Sequence, residues 1–338
     1  MPQVAFSRTT ANPPGDLVRL VGIARMAAES SVLVEKRRVE YRNLATRKWL
    51  NRCQSERVPF DWTINPYRGC EFGCKYCYAR YTHDFMERHD PAAFETEIYA
   101  KEWNAAEFRE ELKTVKAGQI IAIGTATDPY QPAERRFLST QNLLEGMAYL
   151  RGVSICLTTK SSLVSRDADL FLALAKHNYV HLTVTVTTTN RALARATEPF
   201  APSPEMRLKA VAKLAEAGVS VGVMASPILP MITDSEENLL AVAEAAKEAG
   251  ADSFGAYVLF LQPTAQRVFF PFLAEKFPQH LARYRRSYRD GAFVSDSYAE
   301  RMKTLVRDIR RQVGLPSRAI DKLPPPAEAR DGAQMLLF

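Results

Sequence analysis

The chain has 338 residues, with 46% apolar and 25% charged residues and a net charge of +7. Those values suit a globular protein with a sizeable core and exclude a disordered, collagen-like or membrane-spanning chain. Five cysteines, an odd number, and an N-terminal region whose apolar run over 17–34 is broken by Arg19, Arg25 and Glu29 argue for a reducing, cytoplasmic setting rather than a secreted disulfide framework.

Residues 1–58 read as a basic, partly helical arm, helical from about 17 to 50. Over 36–57, Lys36, Arg37, Arg38, Arg42, Arg47, Lys48, Arg52 and Arg57 face only Glu40 and Glu56. From residue 59, β-branched apolar runs alternate with helix-period segments, the pattern of a parallel α/β sheet. Strands are predicted at 59–65, 119–125, 153–159, 180–187, 219–226 and 252–261. After the fourth, Ser203 caps a helix with Pro204 in its first turn, Leu208, Val211, Leu214 and Ala215 on one face, and Gly218 at its end. After the fifth, Asp234 and Glu237 are spaced as a capping box and Gly250 closes the helix. This α/β unit spans 59–265, a helical extension follows over 266–321, and the proline-rich stretch 322–338 reads as a disordered tail that ends on the apolar run 335–338. The rhythm alone leaves a partial barrel and an open wound sheet both standing. Either places active groups at the carboxyl ends of the strands.

A loop after the first strand carries Asn65-Pro-Tyr-Arg-Gly-Cys70-Glu-Phe-Gly-Cys74-Lys-Tyr-Cys77-Tyr-Ala-Arg80. Three thiolates so close can hold an iron–sulfur cluster, which normally takes four cysteines. Cys53 and Cys156 are both far off in sequence, so one iron would stay open to a ligand, the logic that separates catalytic from structural zinc sites. Two other readings stand beside it: a zinc site completed by His83, against which the missing second ligand clip argues, and three buried core cysteines, against which the flanking Gly69 and Gly73 argue.

Polar groups cluster after the later strands. Asp128 and Glu134, in the run Gly124-Thr-Ala-Thr-Asp-Pro-Tyr-Gln-Pro-Ala-Glu134, suit an ammonium ligand; equally, Asp128-Pro129 makes a turn and Glu134 caps a helix over about 136–150. Lys160 follows the third strand, where it suits a carboxylate or simply faces solvent. Thr187, Thr188 and Thr189 end the fourth, where hydroxyl contacts and β propensity explain them equally well.

Cys70-x3-Cys74-x2-Cys77 with Tyr76 before the last cysteine resembles the signature of the radical S-adenosylmethionine superfamily. Tyr76-Cys77-Tyr78, Thr127-Asp128, Thr159-Lys160, Glu198-Pro199 and Arg207-Leu208 follow the order and spacing of its spore photoproduct lyase branch, over about residues 60–262. The resemblance implies a partial (β/α)6 TIM-type barrel and a [4Fe-4S] cluster on Cys70, Cys74 and Cys77. The open iron would chelate S-adenosyl-L-methionine, which is cleaved to a 5'-deoxyadenosyl radical with an electron from an external flavodoxin- or ferredoxin-type donor. It further implies that Tyr76 lies beside the adenine, that Lys160 and Thr187 contact the cofactor, that Thr127 and Asp128 serve its amino group although the usual Gly-Gly-Glu run is absent, and that Tyr78 relays the radical. The lyases carry a hydrogen-donating cysteine two residues before the aspartate. Here that residue is Ala126, so lyase activity does not transfer with the likeness.

A second basic stretch runs from Arg283 to Arg311, with Tyr284, Tyr288 and Tyr298 among its arginines. Cations interleaved with aromatics attract nucleic acid, and they also make ordinary solvated helical faces. Two functions therefore compete: a radical enzyme, with nucleic acid as one candidate substrate, and a nucleic-acid-binding protein whose cysteine site is structural.

Overall fold

The computed structural model describes residues 20–36, 39–46, 48–54 and 58–317. The tail expected over 322–338 lies outside these residues, as do Arg37, Arg38, Arg47 and Arg57 of the basic arm.

In chain order the strands are β1 (Val32–Lys36), β2 (Val39–Leu44), β3 (Leu50–Arg52), β4 (Trp62–Ile64), β5 (Tyr67–Arg68), β6 (Glu97–Lys101), β7 (Ile120–Ile123), β8 (Ser154–Thr159), β9 (Tyr179–Thr185), β10 (Val221–Met224) and β11 (Phe254–Gly255). Seven of them make one sheet in the order β11-β10-β9-β8-β7-β4-β3. Six run parallel and in sequence, β4 through β7 to β11, and only β3 is antiparallel, on the edge against β4. This is the (β/α)6 arrangement, and each predicted strand of the unit falls on one of the six. Helices cover the outer face, so residues of both parities along β9 are buried, Val180, Leu182 and Val184 as well as Thr183 and Thr185.

The helix Pro204–Glu216 starts as its sequence indicates, with Ser203 Oγ accepting the Met206 amide, and Val211 and Leu214 lie fully buried. The helix Glu236–Glu248 is capped one residue later than predicted. Ser235 Oγ accepts the Asn238 amide at 3.2 Å, while Asp234 takes the Tyr298 hydroxyl at 2.7 Å and ties the helix Asp296–Val313 to the barrel. Among the described residues no helix is long and apolar enough to cross a membrane.

The N-terminal segment differs from its helical reading. Among the described residues there, only Gly22–Ala28 is helical; β1 and β2 then form a second sheet, order β1-β2-β6-β5, and β3 extends the barrel edge. The partner that makes them strands is β6, which has no two-residue alternation to reveal it: Ile98, Tyr99, Ala100 and Lys101 are all buried. Tertiary pairing across some sixty residues overrides a weak local helix preference.

The helix expected over 136–150 is broken. Glu134–Phe137 ends at Leu138, which adopts φ +53°, and Ser139–Gly146 begins anew. Glu134 brackets the break. Its carboxylate, wholly buried, accepts the Thr140 and Gln141 amides at 2.8 and 3.1 Å, the Tyr67 hydroxyl at 2.5 Å and Arg166 at 2.9 Å. Its capping role is therefore real, and no valence remains for a ligand. Glu134→Ala leaves both amides and the Tyr67 hydroxyl without an acceptor, while Arg166 keeps its two bonds to Asp167, so urea unfolding should show a loss of about 2 kcal/mol or more.

Candidate active site

A cavity of about 470 Å³ opens at the carboxyl ends of the parallel strands. Cys70, Cys74 and Cys77 line it together, with Tyr76, Tyr78, the 124–128 loop, Thr159, Lys160, Thr185 and residues 257–260. The cysteine loop is folded by its glycines and its neighbours. At Gly69 φ is +80°, and a Cβ there would sit 2.8 Å from the Glu97 carbonyl oxygen and 2.9 Å from that of Phe94. Cys70 N donates to Phe94 O at 2.8 Å and Lys75 N to Thr197 O at 2.9 Å. Arg80, itself paired with Glu95 at 2.7 Å, donates to Cys74 O at 3.1 Å. Burial pushes all three thiols up, that of Cys74 to about 12, as expected of sulfurs that need a bound cation to ionise.

The donor set fits a multinuclear cluster. Three sulfurs share one cavity, yet among the described residues no three Cys, His, Asp or Glu side chains converge as they would on a single ion. Neither Cys53 nor Cys156 lines the cavity. His83, the candidate fourth zinc ligand, is buried elsewhere, its Nε2 against Glu97 O at 3.1 Å and its ring between Phe94 and Tyr99.

Behind the loop lies a buried chain of charge that the sequence reading did not assign. Glu198 Oε2 meets Arg207 at 2.5 Å, and Oε1 accepts the Tyr76 hydroxyl and, at 3.4 Å, that of Thr187. Arg207 also donates to Pro202 O and Thr185 O. Burial acts to raise the Glu198 carboxyl, but Arg207, Lys160 and the bond from Tyr76 hold it below the usual carboxylate range. Lys160 stands over the Tyr76 ring at 5.7 Å. Burial acts to lower its ammonium; the Cys74 sulfur, once ionised, and the Glu198 carboxylate raise it past its ordinary value. Glu198 and Arg207 were visible only as two short runs in family spacing, because nothing in a sequence pairs an acid after one helix with an arginine inside the next.

The site residues named from the sequence divide into two groups. Tyr76, Tyr78, Thr127, Asp128 and Lys160 line the cavity with the cysteines; Thr187 does not, being buried against Glu198 while Thr185 faces the space. Within the lining, Asp128 is fully engaged: it accepts the Tyr130 and Lys160 amides at 2.9 and 2.7 Å and the Thr159 hydroxyl at 2.7 Å. Its burial still leaves the carboxyl above its usual range. Thr127 donates to Gly69 O at 2.6 Å and accepts from Gln131, which also bonds the Glu71 amide. The Tyr78 hydroxyl donates to Thr125 O, and its ring packs on Phe260.

The Radical SAM superfamily sequence profile matches residues 64–243, more than half of the chain. The chain belongs to the radical SAM superfamily. A protein of Mycobacterium tuberculosis, called uncharacterised, is 33% identical over 272 residues, 80% of this chain and 79% of its own length. Another so called, from Methanocaldococcus jannaschii, is 30% identical over 218 residues, 64% of this chain and 77% of its own. Among solved structures, a spore photoproduct lyase double mutant with bound AdoMet and dinucleoside spore photoproduct superposes with TM-score 0.62 at 18% identity, over 90% of this chain and 85% of that one. The lyase complexed with the dinucleoside alone gives 0.62 at 17%, over 81% and 79%. At such identity the likeness establishes the fold, the partial TIM-type barrel of this radical SAM enzyme.

Two outcomes follow. Glu198→Gln leaves the Arg207 charge buried and unpaired and should cost about 3–5 kcal/mol in urea unfolding, part of which Glu198→Gln/Arg207→Met restores. Burial pushes His83 down to about 4, so the unfolded chain takes up this proton first. The His83 contribution is intact above about pH 6.5 and is lost as the pH falls toward 4, by up to about 3 kcal/mol. His83→Phe should flatten that part of the pH–stability curve.

Proposed function

We propose that the protein binds a [4Fe-4S] cluster on Cys70, Cys74 and Cys77 and uses it to cleave S-adenosyl-L-methionine to a 5'-deoxyadenosyl radical that abstracts hydrogen from a substrate. The observation that carries this reading is one cavity shared by Cys70, Cys74, Cys77 and a cationic Lys160, with no fourth cysteine among its lining residues. The cluster, when bound, supplies the electron for cleavage, drawn from an external donor of flavodoxin or ferredoxin type.

The chain's own residues do the rest. Lys160 offers an ammonium to the cofactor carboxylate. Tyr76, with its hydroxyl held by Glu198, gives the adenine a fixed flat neighbour. Thr127 and Asp128 shape the wall facing the methionyl amino group; because their polar atoms are engaged within the protein, they act as positioning residues. Thr187 acts through Glu198. Tyr78, at the cavity mouth, is the candidate relay, and the apolar wall excludes water from the radical.

For the substrate we favour nucleic acid. Arg283, Arg286 and Arg301 line an adjoining cleft of about 870 Å³ with Tyr298 and Phe293. Phe293 packs on Phe260, 4.7 Å between ring centres, and Phe260 lines the barrel cavity, so one aromatic path joins the two spaces. Ala126 has no abstractable hydrogen on sulfur, so a lyase-type repair reaction would need a different donor.

Anaerobic reconstitution with iron and sulfide should give a cluster whose dithionite reduction yields 5'-deoxyadenosine, and Cys→Ala at 70, 74 or 77 should abolish both. Lys160→Met should keep the cluster spectrum while weakening cofactor binding about tenfold or more. A cluster that never cleaves the cofactor would favour a structural metal site in a nucleic-acid-binding protein. Oligonucleotide affinity should fall steeply with salt and drop further in Arg283→Ala/Arg286→Ala; weak, salt-insensitive binding would remove nucleic acid from the reading.

A further inference from the structure

Where the small sheet meets the barrel edge, the buried Lys101 and the half-buried Arg68 lie together, and among the described residues no acid forms an ion pair with either. In the antiparallel β5–β6 pair Tyr67 lies opposite Ala100 and Arg68 opposite Tyr99, so Arg68 and Lys101 share a face of the sheet. Lys101 is only 6% exposed; its Nζ donates to Lys48 O at 3.2 Å and lies 5.3 Å from the centre of the Trp49 ring. Arg68 Nε is buried with no hydrogen-bond partner, and among the described residues its guanidinium makes no ion pair. The nearest acid acting on Lys101 is Glu111, but its carboxylate is taken up by the Trp49 and Leu50 amides at 2.8 and 3.3 Å.

Removing a cation from water without a counter-charge costs several kcal/mol even after relaxation, a cost that falls on Lys101 in full and on Arg68 at its buried Nε. Lys101 shows the strain: burial first, and the Arg68 charge second, bring its ammonium down to about 7. Both side chains line a pocket of about 20 Å³, shared with Asn51, Asn65 and Ala126. That volume admits one water-sized atom.

We propose that this pocket is a binding site for a phosphate group. One oxygen enters between Lys101 and Arg68, and the others stay outside, within reach of the remaining guanidinium N–H groups. A tetrahedral oxyanion can engage a buried point charge and an arginine fork at once, and it supplies the counter-charge that the described residues do not place there. Ala126 places the site immediately behind the loop whose Thr125, Thr127 and Asp128 wall the barrel cavity. A phosphate held here is therefore a handle beside the active site. The site needs neither cluster nor cofactor, so its test stands apart from that of the radical chemistry.

The experiment is thermal unfolding of the full chain in buffers matched for ionic strength. Inorganic phosphate at about ten times its Kd should raise Tm by about 3 °C relative to chloride and acetate. Arg68→Gln and Lys101→Met should abolish the rise. Asn51→Asp, which sets a carboxylate at the pocket rim on an exposed strand, should raise Tm without phosphate and remove the response to it, the opposite of a folding defect. A dinucleoside monophosphate that reproduces the rise marks a phosphodiester as the source, and a response limited to inorganic phosphate marks a free anion. No rise, an equal rise in chloride or acetate, or an unaltered rise in both Arg68→Gln and Asn51→Asp overturns the proposal.

Discussion

The buried ion pair between Glu198 and Arg207 is the constraint on which the site depends. Neither charge can be left alone in an interior where desolvation costs several kcal/mol, so each must keep every partner it has. Those partners are the parts of the site: Tyr76 in the cysteine loop, Thr187 and the Thr185 carbonyl at the end of β9, and the Pro202 carbonyl before the helix Pro204–Glu216. One pair thus locks a loop, a strand end and a helix into a single geometry. It also sets the charge of the cavity, since the Glu198 carboxylate is one of the groups that keep Lys160 cationic.

The other acids follow the same economy. Asp128 joins the loop after β7 to the end of β8, and Glu134 joins β5, two helices and Arg166. Each looks like a ligand group when seen as a strand-end carboxylate, and each is consumed as an internal bracket. What remains for a bound molecule is chemically sparse: three sulfurs, one ammonium and aromatic faces. A cavity of that kind suits the proposed function, in which a metal cluster and a few fixed charges hold the ligand and apolar walls exclude water.

Much of this was legible in the chain. The six parallel strands were readable because buried strands of an α/β sheet are runs of apolar and β-branched residues, and the helices because Ser203, Pro204, Gly218 and Gly250 mark their ends. The cysteine loop was legible because its three cysteines lie within eight residues of one another. The β1-β2-β6-β5 sheet was not legible, since β6 is buried on both faces and β2 becomes a strand only by pairing with it. The roles of Glu198 and Arg207 were hidden for a similar reason: their contact spans a helix boundary and carries no local pattern.

By itself, then, the sequence determined the fold class, the family and the closeness of the three cysteines to one another, because periodicity and short spacing are local properties of a chain. Tertiary structure alone decided which polar side chains are free to meet a ligand and which are already satisfied. It turned Asp128, Thr127 and Glu134 into supports, left Lys160 facing the cysteines, and set the half-buried Arg68 beside the buried Lys101 with no ion-pair partner among the described residues. The physical reason is that a buried charge must be paid for by whatever lies next to it in space, and spatial neighbours are settled only when the whole chain has packed.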